Sequence, residues 1–229
     1  NAPSHYYHPL HFFDLPKPVF NSEDKTLPDL NFVGRTEKRK GPDIFIELAW
    51  WLPQHQFNHA SIIGPHSFDH TGTVSSETLI RSMLNNRLES IQLLPAQSQP
   101  ELFKRFQQNS ITFTPSRYDT LNLVALESLF SGCPTAIANG AGVCRLLKDD
   151  FPDLPWVDIE VSNIYRALEP LVNILENYSV YRQQLVEAVK STSLTANSPN
   201  ITEIYQVEAA GNAGVQAEID RWYSQLMNY

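Results

Sequence analysis

Five short β-branched or apolar runs, Leu30–Val33, Ala60–Ile63, Ser90–Leu94, Ile111–Thr114 and Thr135–Ala138, recur along the chain with segments of helical character between them. This alternation predicts a parallel sheet assembled from βαβ units. The helices are predicted at Pro42–Leu52, with proline in a permissive first turn, and at Glu77–Asn86, Pro100–Gln108, Leu121–Ser131 and Val143–Asp149. Their order implies an α/β fold with a doubly wound parallel sheet. From Ser162 the chain turns helical, at Asn163–Leu175, Ser179–Leu194 and around Val215–Met227, and these C-terminal helices are expected to cap the sheet domain.

The 229 residues are 42% hydrophobic and 11% aromatic, enough for a proper core. A net charge of −8 gives the surface as a whole no electrostatic reason to bind nucleic acid or anionic lipid, so an anion site has to be local and membrane association at most peripheral. No apolar run approaches the roughly 20 residues of a spanning helix, and the N-terminus lacks a signal-peptide pattern, which makes a cytoplasmic location the default expectation. Cys133 and Cys144 have no ligand-like spacing and read as reduced structural thiols. His5, His8 and His11 recur every third residue, but Pro9 interrupts any helix that would align them, so they read as tail rather than metal site. Residues 1–29, rich in Pro, His and aromatics, read as a lead-in wrapping the domain edge, with Asn1-Ala2 resembling a cleaved-tag scar. The folded domain is expected from Leu30 to residue 229.

Ligands of doubly wound sheets collect at the carboxyl ends of the strands, which directs attention to three loops. The first run ends in Gly34-Arg35, and Lys40 follows just before the proline-initiated helix. Arg suits a forked grip on phosphate oxygens and Lys acts as a mobile point charge, so the pair could cradle a diphosphate; the alternative is a solvated basic turn. The second loop carries Asp119 and leads into a helix that is apolar almost all round except for Glu127. A buried carboxylate needs a partner, either ligand hydroxyls or a Lys or Arg from elsewhere in the fold. Asp119 could equally serve the helix dipole. The third loop, Ala138-Asn139-Gly140-Ala141-Gly142-Val143, has glycines that let a backbone approach a ligand and turn amides toward negative charge.

Together these segments resemble the C-terminal, donor-binding domain of the family-four (group 1) retaining glycosyltransferases of GT-B architecture. The resemblance rests on Gly34-Arg35 standing before Lys40-Gly41, on Pro115-Ser116 leading to Asp119, seven intervening residues and Glu127, and on Ser131-Gly132-Cys133-Pro134. It implies that Arg35 and Lys40 grip the donor diphosphate and that Asp119 contacts the transferred sugar, these three forming the catalytic set. Glu127 would bind the nucleotide ribose. Gly34, Gly64, Ala96 and the loop Thr120, Leu121, Asn122 and Leu123 would complete the nucleotide-sugar pocket, with the base near Leu94–Ala96. The family transfers sugar with retention and without a metal, so no cofactor is expected beyond the nucleotide-diphosphate sugar itself. The implied partners are a glycan or lipid-linked acceptor and an N-terminal domain of the same protein that would supply the acceptor site.

The chain departs from the family pattern at three places. Asp119 stands where Glu is usual, Leu121-Asn122 where an aromatic-Gly pair is common, and Cys144-Arg145 where Pro-Glu often follows the glycine loop. These departures point to altered donor choice or lowered activity on the same fold; Asn122 is noted as tolerant of a left-handed backbone. Competing readings are a sugar-nucleotide epimerase or a phosphorylase of the same architecture, and a non-catalytic, degenerate donor-binding or interaction module.

Overall fold

Each of the five runs becomes a strand, and four of them are covered on both sides, while the third, at the sheet edge, is only partly covered. A computed structural model describes residues 15, 17–19, 26–65, 75–84 and 91–192. The strands are β1 (Asp29–Val33), β2 (Ala60–Ile63), β3 (Ile91–Leu94), β4 (Ser110–Thr114), β5 (Thr135–Ala138) and β6 (Val157–Ile159). All neighbours pair in parallel, in the order β3-β2-β1-β4-β5-β6. The third run begins at Ile91; Ser90 lies outside the described residues. Strand β6 was not anticipated. It has three residues, too few for periodicity to register, and it follows Pro155.

The helices are α1 (Pro42–Trp51), α2 (Ser76–Leu84), α3 (Gln99–Gln107), α4 (Leu123–Phe130), α5 (Gly142–Asp150), α6 (Leu168–Glu176) and α7 (Tyr178–Ser191). Start signals in the sequence account for where two of them begin. Helix α3 opens at a capping box in which Ser98 and Glu101 satisfy each other's ends. Helix α4 starts two residues later than expected because Asn122 is its cap, its side chain accepting from the Ala125 amide. The helix expected over Asn163–Leu175 is instead a 3-10 turn, Ile164–Ala167, followed by α6. Asn86, Leu194, the helix expected around Val215–Met227 and the three N-terminal histidines lie outside the described residues.

Strand alternation sends Leu30, Phe32, Ile62, Ile111 and Phe113 to one face, where α1, α2 and α6 cover them. Phe45 of α1 sits between Phe32 and Phe113, with ring centroids at 6.0 and 5.2 Å. Val33, Ile63 and Ile137 point the other way, toward α3, α4, α5 and α7. The C-terminal helices thus divide between the faces: α6 joins the first, whereas Leu185 and Val189 of α7 join the second. Cys133 and Cys144 are both buried free thiols, and burial pushes the Cys144 thiol up to about 11.

Helix α7 is pinned to the amino end of β4 by a buried cation. Arg182, 1% exposed, donates to the carbonyls of Gln107, Gln108 and Val19 and to Asn109 Oδ1. Those carbonyls include the last residue of α3, so the guanidinium caps that helix as well. Tyr178 adds a clasp, its hydroxyl accepting from the Ser110 amide at 2.7 Å and donating to the Ser110 carbonyl at 3.0 Å. Residues 17 and 19 take part: the Lys17 carbonyl accepts from Gln107 and the Val19 carbonyl from Arg182. No described helix is long and apolar enough to cross a membrane.

Candidate functional site

The connection from β3 through α3 runs back past β2 and β1 to β4, so the strand order reverses between β1 and β4. Two adjacent strands whose crossovers leave in opposite directions open a crevice at their carboxyl ends. The loop after β1 carries Arg35 and Lys40, and the loop after β4 carries Asp119. Lys40 and Asp119, separated by the whole left half of the sheet in sequence, meet there: Lys40 Nζ lies 2.6 Å from Asp119 Oδ2. Both side chains are mostly buried, at 21% and 10% exposure.

Close backbone approach makes this meeting possible. Gly41 sits at φ 77°, and a side chain there would meet the Pro115 carbonyl at 2.2 Å, so only glycine lets the first loop lie against the second. Gly142 holds the far side of the Asp119 loop. Its amide donates to the Asp119 carbonyl at 2.9 Å, and a Cβ on it would reach the Thr120 carbonyl at 2.0 Å. The amide expected to face an anion is therefore already engaged by the backbone that positions Asp119.

Arg35 stays apart from this pair. It is 60% exposed and rests 3.0 Å from Glu37, which also receives Arg39 at 3.3 Å. A surface pair of this kind is worth little, so Arg35 remains exchangeable toward a stronger anion. Gly34, at the end of β1, donates its amide to the Ile63 carbonyl. Gly64, at the end of β2, is glycine because a side chain would strike the Gly34 carbonyl at 2.0 Å; it supports the first loop from beneath.

Glu127 is half-buried on α4 and accepts a 2.7 Å hydrogen bond from the Gln99 amide. Among the described residues no Lys or Arg stands against it, and burial holds its carboxyl above the usual carboxylate range, opposed by Gln99. The helix is buried at Ala125, Leu126, Ser128, Leu129 and Phe130, as its apolar sequence predicts, while Leu123 at its start is 41% exposed. Thr120 is exposed, Leu121 half-buried, and Asn122 buried as a cap with φ −79°, not left-handed. Its Nδ2 lies 3.4 Å from Ser116 Oγ. Ala96 is exposed in the loop between β3 and α3, next to the start of the helix that supplies Gln99.

Three participants had escaped the sequence reading. Gln99 gave no signal, being one of several glutamines at a helix start. Arg117 and Asp43 form a forked ion pair with N–O distances of 2.7 and 2.5 Å, and both had been passed over beside the more familiar acid and lysine.

Known proteins resemble the chain at the level of family and fold. A model of the glycosyl transferases group 1 family matches residues 17–191, starting within the stretch read as lead-in. D-inositol 3-phosphate glycosyltransferase of Mycolicibacterium paratuberculosis (strain ATCC BAA-968 / K-10) is 34% identical over 119 residues, 52% of this chain and 26% of that protein. Among solved structures, sucrose-phosphate synthase from Thermosynechococcus elongatus superimposes with a TM-score of 0.59 at 17% identity, covering 86% of this chain and 50% of that one. HepE of Anabaena, solved with UDP and glucose, gives a TM-score of 0.62 at 13% identity over 81% of this chain and 49% of its own. The chain thus spans about a quarter of that curated relative and about half of each of these two solved structures. By the family match over most of its length, and with the α/β sheet of GT-B proteins, the chain belongs to the group 1 glycosyltransferases.

Proposed function

We propose that this chain is the donor half of a retaining, metal-independent glycosyltransferase and that the crevice between β1 and β4 takes a nucleotide-diphosphate sugar. The observation that carries the reading is the meeting of Lys40 and Asp119 at the switch point of the sheet, a cation and an acid brought from two loops to one place. A diphosphate would draw Lys40 from Asp119 and Arg35 from Glu37. The two cations then stabilise the charge that develops on the departing nucleoside diphosphate, the contribution a metal makes elsewhere. Released from Lys40, Asp119 is free to accept from a sugar hydroxyl, and Glu127 to accept from the ribose. Gly34, the loop Thr120 to Leu123 and the edge at Ala96 would line the remaining pocket.

The acceptor site, for a glycan or lipid-linked acceptor, is assigned to another domain of the same protein, a reading supported by the minor share of its relatives' length that the chain spans. This chain alone is accordingly expected to bind donor weakly and to turn over little. The test is calorimetric titration of the folded chain with uridine, guanosine and adenosine diphosphates and their sugar conjugates. Saturable binding of one base, lost in Lys40→Ala and Glu127→Ala, is the expected result. Binding that survives both substitutions would place the site elsewhere.

A further inference from the structure

The ion pair between Asp43 and Arg117 lies beside the Lys40–Asp119 pair without belonging to it. Asp43 is in the first turn of α1, and Arg117 is two residues before Asp119. Arg117 donates from both terminal nitrogens to the two oxygens of Asp43, at 2.7 and 2.5 Å, and one of those nitrogens also reaches the Lys38 carbonyl at 2.7 Å. The Arg117 backbone amide donates to the Arg39 carbonyl at 2.8 Å, and Arg39 returns a bond to the Tyr118 carbonyl at 3.1 Å. Each of the residues just before Lys40 is therefore tied to one just before Asp119.

We infer that Asp43 and Arg117 form a positioning clamp that fixes the separation of the two loops carrying Lys40 and Asp119, and thereby sets the affinity of the crevice for the donor diphosphate. The two residues act through Lys40 and are not themselves contacts of the ligand. The role in donor binding rests on the proposed function; the clamp itself does not.

Three features support it. The fork needs a planar guanidinium and a carboxylate together, because only Arg can satisfy both Asp43 oxygens and a carbonyl from one rigid group. The pair is two-thirds shielded, with both side chains 31% exposed, so it is less screened than the Arg35–Glu37 pair of the first loop, though more open than Lys40–Asp119. Asp43 also raises the Arg117 guanidinium further above its ordinary value, chiefly through the hydrogen bond. The loops have little room to compensate for its loss, since Gly41 already lies against the Pro115 carbonyl.

The experiment has two arms. In the first, amide hydrogen exchange is followed in the unliganded wild-type chain and in Arg117→Lys, Asp43→Asn and the conservative Asp43→Glu. Faster exchange at the amides of residues 40 and 117 is expected in the first two variants, partly restored in the third, with α7 protection unchanged. Unaltered exchange in the two loops would overturn the clamp. In the second arm, affinity for uridine, guanosine and adenosine diphosphates is measured by calorimetry in the same variants, alone and combined with Lys40→Ala.

Arg117→Lys is expected to weaken binding roughly tenfold when Lys40 is present and less than about twofold when it is absent, because non-additivity marks residues that act through one another. A tenfold loss in both backgrounds, or none in either, would sink the positioning role. A wild-type chain that binds none of the three nucleotides would instead refute the proposed function, and the exchange arm would still decide whether the clamp exists.

Discussion

The two ends of the sheet use their cations in opposite ways. At the amino end Arg182 is enclosed and surrounded by carbonyls, so its charge is spent on holding α7, α3 and residue 19 together. At the carboxyl end Arg35 and Lys40 are held by single acids, Glu37 and Asp119, through contacts a stronger anion can displace. A cation satisfied by several fixed dipoles serves stability, whereas one balanced by a single mobile carboxylate is available for exchange.

Replacing Arg182 by Met should show this contrast most strongly. It takes the guanidinium from three backbone carbonyls and uncaps α3, and a loss of about 3 kcal/mol in urea unfolding is expected. Nucleotide affinity of the remaining folded protein should be unchanged. A variant that kept its stability would mean that water replaces the guanidinium at this buried site, and the two ends would no longer differ in kind.

Lys40→Ala is the converse experiment, expected to lower nucleoside diphosphate affinity by about a hundredfold, ~2.7 kcal/mol, while shifting the melting temperature little. Arg35, more exposed and farther from the crevice floor, should cost roughly tenfold on the same readout when changed to Ala. Equal losses at the two positions would argue that Arg35 swings fully into the site. Asp119→Asn sharpens the point further. With its competitor for Lys40 neutralised, the plain diphosphate should bind a few-fold more tightly, and the extra affinity of the sugar conjugate should disappear. Calorimetry with the matched pair of ligands reads both changes.

How much of this was legible in the sequence follows from the range of the interactions concerned. The five long strands and the helices after them announce themselves through local pattern, and the loops worth searching followed from strand order alone. Strand β6 was too short to produce a pattern, and it stands only because β5 offers it an edge. The candidate residues Arg35, Lys40, Asp119 and Glu127 lie in motifs readable along the chain, but their pairing does not. That Lys40 touches Asp119 and Glu127 touches Gln99 depends on which loops the fold brings together. Asn122 shows the same limit: its residue type tolerates a left-handed turn, and the helix beginning at Leu123 made it a cap instead. Arg182 looks in sequence like an ordinary helical cation among polar neighbours, and only the return of α7 to the amino end of β4 buries it.

Glu127 connects the two ends of the comparison, because it is a partly buried charge, like Arg182, kept at the end of the sheet that binds. Desolvation raises its carboxyl pKa and Gln99 only partly opposes this. A group whose folded pKa lies above its unfolded value favours the folded state when protonated, and that advantage is lost as pH rises through the folded value. At neutral pH, therefore, the ionised Glu127 costs stability. Glu127→Gln keeps the shape and a hydrogen-bonding group opposite Gln99 while removing the charge. It should stabilise the chain by less than about 1 kcal/mol at pH 7, a small gain because half the group remains in water. The gain should shrink as pH falls through the carboxylate range, where the wild-type acid takes up its proton. Urea unfolding at pH 7 and pH 4 checks the sign, and nucleotide titration of the same variant checks what the charge is for. Weaker binding with higher stability would show a carboxylate retained against the interest of the fold. Lower stability at pH 7 would instead mean that Glu127 is held by a favourable partner, and the contrast between the two ends would end at Lys40 and Arg35.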